Sequence, residues 1–135
     1  MERIAWSDQF SVGVRALDDQ HKKILSIINK LIENSHEAVD SELISNSLGE
    51  MGEYATQHFR LEEQMMEENG YPGLEQQKAQ HEAFKTKLVE LCCATLQYKG
   101  EVPEILLKYL CDWWYHHILH EDMEYRSFFS EKGIS

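Results

Sequence analysis

The sequence predicts an all-α protein, an up-down-up-down four-helix bundle with an irregular N-terminal arm, and three observations carry that prediction. Apolar residues recur at intervals of three and four rather than two, which is helical periodicity. Both prolines and four of the 7 glycines gather at three breaks in the chain. No strand pattern of useful length is present. A chain of 135 residues with 42% hydrophobic content supports one core. Residues 1–135 are therefore expected to form a single domain, with the arm over about 1–16 and the bundle over about 17–130.

In the arm, Trp6 and Phe10 are expected to pack their rings on the bundle. The first helical stripe is Leu17, Ile24, Leu25, Ile28, Leu31 and Ile32. The second opens at Ser41, a residue suited to capping helical amides, and runs through Ile44, Leu48, Met51, Ala55, Leu61 and Met65. Gly49 and Gly52 lie inside it, each costing a helix about 1 kcal/mol relative to alanine. Gly70-Tyr71-Pro72-Gly73 ends it. The third stripe is Leu74, Phe84, Leu88, Leu91 and Thr95, followed by the break Gly100-Glu101-Val102-Pro103. Pro103 suits the first turn of the fourth, which continues through Leu106, Leu110, Trp113, Trp114 and Ile118 and stops by Gly133.

Thirteen basic residues against 24 acidic ones give a formal charge of −11, which repels phosphate backbones and anionic lipid headgroups. Nucleic acid and membrane are not expected partners. The most apolar stretch, Ile105 to Leu119, is interrupted by Lys108, Asp112, His116 and His117, and no basic apolar leader opens the chain. The expected location is the cytoplasm and the expected state a monomer. Cys92, Cys93 and Cys111 have neither disulfide nor zinc-ligand spacing and are expected as reduced, small core residues.

Chemistry is carried by the 7 histidines. His21, His58, His81 and His117 each fall on an apolar stripe, one per helix, and are expected to point inward. Four buried imidazoles with no common partner would each cost roughly 1–3 kcal/mol in missing hydrogen bonds, and a metal removes that cost. Glu62 follows His58 by four residues and shares its face. Near His117, Glu121 is in phase while Asp122 stands about 140° around an ideal helix, so periodicity favours Glu121. His36, His116 and His120 lie off the stripes or at helix ends and are expected in solvent, with His120 close enough in phase to stay a candidate.

Imidazole and carboxylate together suit zinc, manganese, iron or copper, and five or six ligands fit two metals bridged by carboxylates. Ferritin-like bundles need two Glu-x-x-His pairs, but this chain has only Glu33-x-x-His36. No His-Glu-x-x-His zincin motif is completed at His36, His81 or His120, and no Gly-x-Ser-x-Gly elbow occurs.

The ordered set Asp19-Gln20-His21, His58-Phe59-x-x-Glu62-Glu63, His81-x-x-Phe84 and Trp113-x-x-x-His117-Ile118 ending at Asp122 resembles a bacterial hemerythrin. The resemblance covers nearly the whole chain and extends to the arm, in Ile4-x-Trp6-Ser7 and Phe10-x-Val12-Gly13-Val14. It implies a four-helix bundle holding two non-haem irons, joined by an oxygen bridge and two carboxylates, with dioxygen as a reversible ligand. By position it implies His21 and His58 on one iron, His81 and His117 on the other, and Glu62 and Asp122 as bridges. A bulge in the last helix would reconcile Asp122 with the phase that favours Glu121.

One position departs from the family pattern. Four residues before His81, where a fifth histidine is usual, stands Gln77, a weaker donor that either binds the second iron loosely or leaves a position open. The resemblance implies oxygen storage, delivery or sensing without turnover, in contact with an electron donor or an oxygen-using enzyme. The alternative is a di-iron enzyme reacting with peroxide, oxygen or nitric oxide through the opened site. A sensory module is disfavoured, because the bundle and arm consume the 135 residues. Leu25, Ile28, Leu110, Trp113 and Ile118 are expected to exclude water, with Trp113 packed over the ring of His117.

Overall fold

The computed structural model describes residues 2–37, 41–95 and 102–135. Helix α1 spans Arg15–Glu33, α2 Glu42–Glu68, α3 Leu74–Thr95 and α4 Glu104–His116. A π-helical turn, His117–Asp122, continues α4 directly into α5, Met123–Glu131. A 3-10 turn at Asp8–Phe10 lies in the arm, and no strand occurs among the described residues. The Gly100-Glu101 part of the expected third break lies outside the described residues.

The core consists of two apolar clusters, and the order in which each helix meets them gives the topology. One cluster holds Ile24 and Ile28 of α1, Ile44, Met51 and Phe59 of α2, Phe84 and Leu88 of α3, and Leu106, Leu110 and Trp114 of α4. The other holds Leu17, Met66, Tyr125 and Phe129, with Leu74 packed against it and Val12 and Val14 supplied by the arm. Helix α1 runs from the second cluster to the first, α2 returns, α3 runs as α1 does, and α4 with α5 returns again. This is the up-down-up-down bundle that the stripes predict.

Local chemistry sets the ends. Ser41 caps α2, its hydroxyl oxygen accepting from the Ile44 amide at 3.3 Å. That helix runs unbroken through Gly49 and Gly52. It stops at Gly70, whose φ of 69° only glycine adopts readily, and the Tyr71 amide closes the end by donating to the Met66 carbonyl at 2.9 Å. Pro103 caps α4 from the position just before the helix rather than within its first turn. No described helix is long and apolar enough to cross a membrane.

The arm is tied down by polar as well as aromatic contacts. Trp6 and Phe10 pack on the buried Trp114, with ring centroids 6.3 and 4.9 Å away. Asp18 accepts from the Ser11 hydroxyl at 2.6 Å and the Val12 amide at 2.8 Å, and α1 starts at Arg15, inside the expected arm. The buried Asn29 clasps Ile4, accepting from its amide and donating to its carbonyl, both at 2.8 Å.

The cysteines need one correction. Cys111 is buried and Cys92 half-buried, and burial pushes both thiols up, but Cys93 is exposed. The inward face of α3 passes through Leu88, Leu91 and Cys92, so the next position turns to solvent.

Asn29→Ala removes both bonds to Ile4 and leaves its backbone groups without these partners, an expected loss of about 1–3 kcal/mol. Urea unfolding followed by helical ellipticity checks this; an unchanged midpoint would show that the arm is not held this way.

Candidate metal centre

Between the two apolar clusters lies a layer of buried polar side chains. Helix α1 supplies His21, α2 His58 and Glu62, α3 Gln77 and His81, and the π turn supplies His117 and Asp122; all are at most 4% exposed. His58 and Glu62, one turn apart, bring Nε2 and Oε1 to 2.9 Å. Glu62 Oε1 also lies 3.1 Å from His117 Nε2 and 3.4 Å from His81 Nε2, so one carboxylate meets imidazoles from three segments. Asp122 Oδ2 lies 2.8 Å from His21 Nε2 and 3.0 Å from His117 Nε2. The ligand atoms of His21, His58, Glu62, His117 and Asp122 fall within 4.8 Å of one another, and His81 joins them through Glu62.

Asp122 reaches the layer because of the π turn. With about 4.4 residues per turn, a residue five positions on returns to within about 50° of its starting direction, instead of the 140° of an α-helix. The widened turn begins at His117 and ends at Asp122, where the sequence needs a bulge if Asp122 is to face the layer. The side chain of Glu121, the in-phase alternative, lies outside the described residues. His36, His116 and His120 are exposed, as expected, and His120 takes no part in the layer.

The outward nitrogens have partners that spacing alone does not identify. Glu63 Oε2 accepts from His81 Nδ1 at 2.8 Å, and Gln20 Oε1 accepts from His58 Nδ1 at 2.8 Å. Both fall inside the quoted motifs, but their roles depend on contacts between helices. Tyr125 was also missed: its hydroxyl donates to Glu62 Oε2 at 2.6 Å, and the signal available was its place three residues after Asp122. Phe59 stacks on His81 with centroids 4.0 Å apart, and the half-buried Trp113 stacks on His117 at 5.0 Å, the packing expected of it. Leu25, Ile28, Leu110 and Ile118 are all buried.

The donor set fits a metal. His81 gives its Nδ1–H to Glu63, while its Nε2 has no hydrogen-bond partner and lies 3.4 Å from a Glu62 oxygen. Asp122 Oδ1 and His21 Nδ1 are likewise buried without a hydrogen bond. Polar atoms buried without hydrogen bonds in a dry interior are unfavourable, and a cation held among them removes that cost.

Protonation follows the same environment. Burial pulls His21 and His58 down to about 4 against the opposing charge of Glu62, so both rings are neutral near pH 7, the form that binds metals. Burial alone would raise Glu62, but His58 and His117 hold it well below the usual carboxylate range. Burial and the neighbouring Glu62 push Asp122 up to about 8. For His117, burial is outweighed by Asp122 and Glu62, and the ring is held well above its ordinary value. Burial, with Asp122 and Glu62 nearby, raises the Tyr125 hydroxyl, which keeps its proton.

Comparison with known proteins bears on this arrangement. The family model described as the Hemerythrin HHE cation binding domain matches residues 12–128. A bacteriohemerythrin of Methylococcus capsulatus is 34% identical over 131 residues, covering 93% of this chain and 95% of its own. One from Clostridium acetobutylicum is 30% identical, covering 89% and 96%. The crystal structure of a wild-type hemerythrin superposes with a TM-score of 0.83 at 27% identity, over 93% of this chain and 97% of that one.

Removing an outer partner should loosen metal without unfolding the bundle. Glu63 is about a quarter exposed, so Glu63→Ala is expected to keep wild-type ellipticity while weakening metal retention roughly 10–100-fold. Competition against a calibrated chelator measures this; unchanged retention would remove Glu63 from any metal-supporting role.

Proposed function

The chain belongs to the hemerythrin family, and on that premise we propose that it is a non-haem di-iron protein that binds dioxygen reversibly, for storage, delivery or sensing, and is not an enzyme. The observation that carries this reading is the buried meeting of four imidazoles with Glu62 and Asp122, in which His81 Nε2 and Asp122 Oδ1 have no hydrogen-bond partner. In this reading His21 and His58 would hold one iron, His81 and His117 would hold the other, and Glu62 and Asp122 would supply the shared carboxylates. Iron bound there would supply the electrons for reversible uptake of dioxygen.

The rest of the task falls to the protein. Glu63 and Gln20 fix two imidazoles with their Nε2 lone pairs inward, so these ligands need little reorganisation. Tyr125 holds one oxygen of Glu62 by donating its proton, leaving the other oxygen turned to the imidazoles. The buried Leu25, Ile28, Leu110 and Ile118 keep bulk water away from the polar layer. Such a protein works in solution with dioxygen as ligand and an electron donor or oxygen-using enzyme as partner, and the cytoplasm provides both.

A second reading rests on Gln77. It is 4% exposed, one turn before His81, and it lines a cavity of about 10 Å³ with Gly73, Gln76, Gln80 and Glu124, room for about one water. A neutral amide or a water on the second iron would favour turnover of peroxide, oxygen or nitric oxide over reversible binding.

Anaerobic loading with ferrous iron should give two irons per chain and a visible band that appears with oxygen and fades on its removal. A band that never forms, or that forms and does not reverse, would contradict an oxygen carrier. Steady-state consumption of peroxide with a reductant would favour the second reading, and Gln77→His should then slow that consumption and prolong the oxygen-dependent band several-fold.

A further inference from the structure

The outer side of the π turn carries another pair of imidazoles. His116 closes α4 and His120 lies within the turn, and both are exposed. Their ring centroids are 5.0 Å apart, with planes inclined by 33°. A metal–nitrogen bond of about 2.1 Å, plus about 1.1 Å from nitrogen to ring centre, places two imidazoles on one tetrahedral ion with centres about 5 Å apart. The pair therefore already has the separation that joint coordination needs.

The surroundings favour a cation. The chain carries a formal charge of −11, and exposed Asp112 and Glu124 stand four residues before His116 and four after His120. This acidic field lowers the energy of a divalent ion at the surface. Asp112 is engaged by Lys108 at 3.0 Å, so solvent would complete the coordination. Imidazole pairs select copper, nickel and zinc over magnesium or calcium, which require oxygen ligands.

We propose that His116 and His120 form an exposed, exchangeable site for a divalent transition ion of the nickel, copper or zinc class, separate from the buried layer. The site stands whether or not the buried layer holds iron, because it shares no side chain with it.

Nickel(II) on an immobilised chelator tests this directly, since a resin-bound ion cannot enter the buried layer and reads only exposed imidazoles. Tag-free, iron-loaded protein should be retained and released by imidazole, and His36→Ala, which removes the other exposed histidine, should be retained equally. His116→Ala and His120→Ala should each elute at least tenfold earlier in imidazole concentration, with ellipticity and iron content unchanged. If His116→Ala disturbs the neighbouring His117, His120→Gln makes the same test one turn away. A solution titration should show one nickel equivalent beyond the iron, at least tenfold weaker in His120→Gln. Failure of the wild-type protein to bind the resin, or equal retention of the His120 variants, would overturn the proposal.

Discussion

The carboxylate of Glu62 is the constraint on which the rest of the structure turns. It is fully buried, and it meets His58, His81 and His117 through one oxygen and the Tyr125 hydroxyl through the other. An ionised group in that position is tolerable only when every neighbour compensates for its lost hydration. The compensation comes from three of the four legs of the bundle, α2, α3 and the leg of α4 and α5, which fixes their relative rotation more narrowly than apolar packing does. It also divides the core into two clusters, with the polar layer between them.

The second support is outside the layer. Glu63 and Gln20 hold the outer nitrogens of His81 and His58, while Phe59 and Trp113 stack on the rings of His81 and His117. Each imidazole named here is thus fixed by a hydrogen bond at one edge, a ring at its face, or both. Sites carried on helices and supported in this way keep their geometry with little motion, which suits binding and release of a small ligand. The π turn serves two faces at once. Inward it aligns His117 with Asp122, and on the outer side the rings of His116 and His120 stand 5.0 Å apart.

Much of this was legible in the sequence because it depends on phase within single helices. Stripes of apolar residues at three and four spacing gave the four helices, Ser41 gave the start of α2 and Gly70 its end. His21, His58, His81 and His117 were placed inward by the same phase, and all four are buried. Asp122 was legible only through resemblance, since an ideal helix turns it away and the π turn that returns it has no composition of its own. Gln20, Glu63 and Tyr125 were not assigned roles because their contacts join different helices. Cys93 was misplaced because adjacent cysteines cannot both share an inward face of α3.

Anomalous diffraction at the iron edge, on crystals of anaerobically loaded protein, locates any iron held by the polar layer. Two peaks are expected in the polar layer, one against His21 and His58 and one against His81 and His117, both in contact with Glu62 and Asp122. An empty layer in loaded crystals, or a single ion that leaves His81 Nε2 unliganded, would contradict that expectation.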